Sequence, residues 1–322
     1  MFLDSSNSVY IDGKCYVAIT YPFNHYDALM IEDLHIDKLV EYIQKEALKK
    51  GYVQNFSDFT FLSKCSTLEH IAIEFRLPFS EYSKLQRKNK IAYDLCSLEN
   101  IPYLRSLDLR DNEREGSRAV THIDIAKLPF LEMLSTDYRW VANLAQGASI
   151  KTLQIHHFEQ PNLTALSTLN KLDTLSLSFS KIESLFGLTH DSKLQCLYLY
   201  NNRQLRDISD LRSVSSTLKA LRIENCPNIQ DFSCLFDLSN LELLELSGKN
   251  SLPSLAFLKE MPRLKTFVFS MNIMDGDLSL CQNLSWAYSE HNRKHYSHKD
   301  KELPKKCFYH GNEGIDVWRR LE

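Results

Sequence analysis

The pattern Leu-x-x-Leu-x-Leu returns along this chain about every 22 residues, and no other feature limits its possible folds as strongly. Clear copies are Leu104-Leu107-Leu109, Ile150-Leu153-Ile155, Leu172-Leu175-Leu177, Leu194-Leu197-Leu199, Leu218-Leu221-Ile223, Leu241-Leu244-Leu246 and Leu264-Phe267-Phe269. Leu68-Ile71-Ile73 and Leu131-Leu134-Thr136 are looser, and Leu284-Ala287-Ser289 is a degenerate last copy. From Ile150 onward the starts are 22, 22, 24, 23, 23 and 20 residues apart. One such unit cannot bury its apolar side alone, so stacked neighbours must build a continuous core. The alternation inside the motif predicts a short strand in each unit, with the leucines on one face and the x residues on the other.

The second half of each unit repeats as well. Asn202-x-x-Leu205-x-x-Ile208-x-x-Leu211 has counterparts in Cys226-x-x-Ile229-x-x-Phe232-x-x-Leu235 and Ser180-x-Ile182-x-x-Leu185-x-x-Leu188. Together the halves resemble the leucine-rich repeat family, in its short 22-residue class found in bacterial internalin-like proteins. The resemblance runs from about Phe56 to Asn292. It implies an α/β fold: a solenoid with a curved parallel sheet on its concave face, short 3-10 or irregular segments on its convex face, and a cap at each end. It also implies an amide site three residues after the last strand leucine. Asn112, Asn202, Asn272 and Asn292 occupy that site, with Cys226 as the usual substitute. Arg139, Phe158, Ser180 and Lys249 depart from it, which predicts differently bonded turns there. The family says almost nothing about function, because function lives in sites carried by a fold.

The repeats divide the chain into an N-terminal cap over 1–55, a solenoid of about ten units over 56–292 and a tail or cap over 293–322. Residues 1–55 show no repeat. Val9–Val17 reads as a hairpin whose Asp12-Gly13 suits a type I′ turn. Ile36, Leu39, Val40, Ile43 and Ala47 predict a helix over Asp33–Lys50, with Gly51 just past its end. Two polar insertions, Ser83–Lys90 and Asn112–Ala119, read as surface loops. Residues 290–306 hold six Lys or Arg against three acids, and Phe308, Tyr309, Val317 and Trp318 supply apolar material for a C-terminal cap.

A net charge of −3 argues against a generic nucleic-acid or membrane-surface binder. No stretch approaches 18 apolar residues, and the start, Met1-Phe2-Leu3-Asp4, lacks the basic region of a secretory signal. None of the eight cysteines forms a Cys-x-x-Cys pair. Free thiols in a reducing cytoplasm are therefore expected.

Catalytic signatures are absent from the sequence: no phosphate-cradling glycine loop, no Gly-x-Ser-x-Gly, no His-Glu-x-x-His. His291, His295 and His298 would share a face if helical, the one metal-like cluster, but its basic surroundings favour a solvated or capping segment. No cofactor and no metal are expected, and an enzyme built on that segment is the remote alternative.

The x positions align as ladders across neighbouring strands. One ladder reads Asp108, Ser135, Gln154, Ser176, Tyr198, Arg222, Glu245, the next Arg110, Asp137, His156, Ser178, Tyr200, Glu224, and the third Asp111, Tyr138, His157, Phe179, Asn201. Their overlay selects Asp137, Tyr138, His156, His157, Phe179, Tyr198, Tyr200, Arg222, Glu224 and Glu245 as a partner-binding face. Aromatic residues beside arginine dominate protein–protein hot spots. The expected function is a non-enzymatic scaffold for a protein partner, monomeric when unbound. An immunity protein that neutralises a toxin ranks first, with a host-directed effector or a signalling adaptor as alternatives.

Overall fold

Each of the ten copies becomes a strand whose three motif residues turn into the core. The computed structural model describes residues 8–11, 14–21, 26–31, 36–54, 59–74, 92–110, 118–119 and 121–307. The chain forms two compact units, Met1–Ile150 and Lys151–Glu322. In the second, Thr152–His156, Thr174–Ser178, Cys196–Tyr200, Ala220–Glu224, Leu243–Ser247, Thr266–Phe269 and Trp286–Ser289 pair in that order, all parallel. Leu153, Leu175, Leu197, Leu221, Leu244, Phe267 and Ala287 make one row, all buried. In the first unit, His70–Glu74, Ser106–Arg110 and Met133–Asp137 pair in the same sense, with Ile71, Leu107 and Leu134 in register. Burying one such leucine contributes about 1.5–3 kcal/mol, so the rows hold the repeats together.

Opposite the strands run short 3-10 helices such as Ser209–Val214, Ser233–Asp237 and Ser279–Asn283. A short polar side chain opens them. Asp207, Asp231 and Asp277 accept from the backbone N–H of Ser209, Ser233 and Ser279 at 2.9, 2.7 and 2.9 Å. That hydrogen bond favours the ionised carboxylate, and it holds all three acids below their ordinary range. Asn162, two repeats before Asp207, caps Thr164 in the same way. The repeat around Leu185 has a tighter turn in place of a 3-10 helix. Its Gly187 has φ +112°, and a Cβ there would lie 2.5 Å from the backbone of Leu163 and Thr164.

The residue before each strand carries a second ladder. Its carbonyl accepts two N–H groups from the next repeat: Lys151 O takes those of Asp173 and Thr174 at 2.9 and 3.1 Å, and Lys219 O those of Glu242 and Leu243. The side chains at this position alternate in sign. The first unit has Lys49, Glu69, Arg105 and Glu132; Lys49 reaches Glu69 at 2.6 Å and Arg105 reaches Glu132 at 2.9 Å. The second has Lys151, Asp173, Gln195, Lys219, Glu242 and Lys265, with Lys265 at 2.6 Å from Glu242. Exposed pairs of this kind contribute at most about 1 kcal/mol each, so they specify register more than they add stability.

The N-terminal segment differs from its sequence reading. Its hairpin pairs Ser8–Ile11 with Lys14–Tyr21; the Asp12-Gly13 turn lies outside the described residues. The helix spans only Ile36–Lys45, with Val40 and Ile43 buried. Ala47, at φ 49°, takes the left-handed position assigned to Gly51. Gly51 instead enters a strand, Lys50–Gln54, that pairs in parallel with His70–Glu74. Gly51 and Val53 stand opposite Ile71 and Ile73, so Leu48-x-x-Gly51-x-Val53 is a cryptic repeat. A glycine at the central leucine position hid it.

Ser83–Lys90, most of Asn112–Ala119, Phe308, Tyr309, Val317 and Trp318 lie outside the described residues. The described tail closes the last strand. Tyr296 is buried; its hydroxyl donates to Met271 O at 3.2 Å and accepts from Ile273 N at 3.1 Å. Ala287 N donates to Pro304 O, and Lys306 N to Ser285 O, both at 2.9 Å.

Candidate protein-binding face

Where four successive segments of the second unit leave their strands, the backbone turns through a left-handed residue. His157, Phe179, Asn201 and Asn225 have φ of 55°, 54°, 53° and 53°. Each donates its N–H at 2.9 Å to the last strand residue of the next repeat: Ser178, Tyr200, Glu224 and Ser247. The ladder thus continues one residue past the strand, and that bond offsets the conformational cost. Asparagine and histidine tolerate this region; phenylalanine rarely occupies it.

The residue that follows is inside. Asn202 is fully buried, donates Nδ2 to Leu177 O at 2.9 Å and accepts from Ser180 N at 2.8 Å. Two of the departures, Ser180 and Lys249, are bonded differently: Ser180 uses its hydroxyl to accept from Phe158 N, and Asn250 replaces the exposed Lys249 by reaching Ile229 O at 2.7 Å. Cys226, the usual substitute, places its thiol against Leu199 O. These turns fix the direction of the residues just before them.

The ladders of the second unit stand in the expected register. Gln154, Ser176, Tyr198, Arg222 and Glu245 are consecutive partners, as are His156, Ser178, Tyr200 and Glu224. The first ladder continues to Val268 and Tyr288. Both residues are readable from the last two motif copies, but the sequence ladders stopped at Glu245.

An aromatic row crosses this face. Phe179, 49% exposed, meets Tyr200 edge-on with ring centroids 5.3 Å apart and lies 6.0 Å from His157. Tyr200 stacks on Tyr198 at 6.1 Å. The Tyr198 hydroxyl donates to Glu224 at 3.0 Å; burial and that carboxylate raise it, so it keeps its proton. Arg222 pairs with Glu245 at 3.1 Å, their side chains 15% and 18% exposed. His156 and His157 are exposed at the other end.

Several outward positions are not open. Asp108, Ser135, Gln154, Ser176 and Ser178 are buried. Strands lie about 4.8 Å apart, so a serine between Gln154 and Tyr198, or between His156 and Tyr200, sits in a trough between longer side chains. Asp137 and Tyr138 belong to the first unit. Tyr138 is half-buried, and Asp137 is only 7% exposed. Asp137 caps the turn Tyr138–Trp140 and binds Arg139 through both carboxylate oxygens at 2.8 and 2.6 Å. Asp137 is the least open of these predicted face residues, its carboxylate held by the arginine two residues on.

His291, His295 and His298 lie outside any helix. His295 Nε2 is 2.9 Å from Ile273 O, and His298 Nδ1 is 2.9 Å from Ser297 Oγ. Among the described residues no three His, Cys, Asp or Glu side chains are placed to hold a metal ion, and no helix is long and apolar enough to cross a membrane.

No protein-family model and no curated protein matches the chain. Among solved structures it is similar to the internalin InlF of Listeria monocytogenes, at 17% identity and a TM-score of 0.49, over 79% of this chain and 86% of that one. A leucine-rich repeat protein of Leptospira interrogans is similar at 17% identity and a TM-score of 0.48, over 78% and 68%. Internalin C2 of Listeria monocytogenes gives 22% and 0.42, over 59% and 76%. The assignment rests on the chain itself. Ten motif copies in parallel strands, buried leucine rows and side-chain-bonded turns at a fixed position make this a leucine-rich repeat solenoid protein.

Proposed function

We propose that this protein is a non-enzymatic scaffold that captures a partner protein on the outward sheet face of its second unit. One observation carries the reading: the row His157–Phe179–Tyr200–Tyr198, presented side by side on hydrogen-bonded strands and the residues just past them. Large aromatic side chains on a rigid frame lose little freedom on binding, which lowers the ordering cost of association. Arg222 beside them is the other residue type common at hot spots.

Within this reading, neutralisation of a toxic partner in the cytoplasm comes first. Such a role asks for a preformed surface, which the ladders supply. The free, buried thiols of Cys65, Cys196, Cys226, Cys234 and Cys281 suit a reducing compartment. The protein would be monomeric until it meets its partner.

The test is affinity capture from the source organism with the wild-type chain beside a Phe179→Ala/Tyr200→Ala variant. A stoichiometric protein held by the first and lost by the second is expected. A toxin would establish neutralisation, whereas a host or signalling protein would replace it with an effector or adaptor role. A partner held equally by both chains would overturn the assignment of this face.

A further inference from the structure

The chemistry around the aromatic row is one-sided. Beside Tyr198 and Tyr200 the sheet presents Glu224 and Glu245, with Glu290 within electrostatic reach of Glu245. Arg222 is the cation that faces them, and it is paired with Glu245. Three carboxylates against one guanidinium leave an excess of two negative charges by count. At Glu245 burial pushes the carboxyl up, Arg222 pulls it down, Glu224 pushes it up, a hydrogen bond with Ser247 pulls it down, and Glu290 pushes it up.

The rings add to the same bias. A π-face is electron-rich and attracts a cation set over it. Tyr200 is the register partner of Glu224, so their backbones stand about one strand spacing apart, about 4.8 Å. Phe179 meets Tyr200 edge-on, and the stacked Tyr198 points its hydroxyl at Glu224. The arrangement has an aromatic wall on one side and an acidic wall on the other.

We propose, resting on the scaffold reading above, that this patch receives a basic side chain, arginine or lysine, from the partner protein. The cation lies against Tyr200 and between Glu224 and Glu245, and apolar residues flanking it in the partner cover Phe179. The partner's contact surface is therefore basic. It supplies the positive charge that the face lacks, and it speeds encounter through opposite fields.

The test uses the intact chain and a displayed random-peptide library, followed by titration of the best labelled peptide against wild type, Tyr200→Ala, Phe179→Ala, Glu224→Gln and Glu245→Gln. Selected peptides should be rich in Arg or Lys next to an apolar residue. Tyr200→Ala should weaken the peptide about tenfold, and each Gln variant by a few-fold, with binding falling as salt rises. Melting curves of the two isosteric Gln variants guard against a folding defect. Acidic or uncharged peptides that still depend on Tyr200 would overturn the basic-partner inference and leave the scaffold reading standing. Peptides indifferent to both Tyr200→Ala and Phe179→Ala would overturn the two together, and a library yielding no binder would overturn the basic-partner inference.

Discussion

Phe179 carries a contradiction that a folded chain resolves only for a reason. Its backbone is left-handed and its ring is half exposed. That region costs an ordinary L-residue about 1–2 kcal/mol, less for asparagine. The two following repeats place Asn201 and Asn225 at the same position. Phe179→Asn should therefore raise stability by about 0.5–1 kcal/mol in urea unfolding, while weakening partner capture. A loss of stability would show that the ring is a packing residue and not a binding one. Asp108 is the opposite case, a buried acid. Burial pushes its carboxyl from 3.8 up to about 7, and a hydrogen bond from Ser135 opposes this. The folded state therefore holds the proton more tightly than the unfolded chain. Stability falls as pH rises from the ordinary carboxylate range to about 7 and then levels off. Asp108→Asn should raise the melting temperature above neutrality, and the gain should vanish as the pH approaches 3.8. A gain independent of pH would mean that the acid is not titrating.

At the scale of the strand and its turn, the amide of Asn202 does the work of two backbone partners, Leu177 O and Ser180 N. Removing it leaves both buried and unpaired. Asn202→Ala should cost about 1–3 kcal/mol by chemical denaturation, and a smaller loss would show that water enters the turn. Elements of this kind were readable from the chain because period and burial coincide: a leucine on the wrong face would expose a whole row. Lys50–Gln54 escaped notice because pairing, and not side-chain type, makes it a strand. Gly51 sits where the motif requires leucine, and its neighbours on both sides supply the hydrogen bonds. The helix before it is shorter than its apolar spacing predicts for the same reason, since Lys49 and Lys50 look like a helix end until a sheet claims them.

Over the whole molecule, the order of residues along the second unit's outward face was legible, because parallel pairing without slippage follows from the motif. Their exposure was not. Ser176 and Ser178 are covered by longer neighbours on adjacent strands, and Asp137 by an arginine two residues away. Both effects depend on side-chain reach across space, which a repeat period does not encode. The same period conceals a rule of parity. Because signs alternate at the position before each strand, excising a single repeat brings like charges together: loss of the Glu242 repeat would set Lys219 beside Lys265. Excising the Glu242 and Lys265 repeats together would set Lys219 beside Ser285 and create no such clash. Where the alternation is intact the chain is spelled in couplets, and shortening or lengthening it by whole couplets preserves the rhyme.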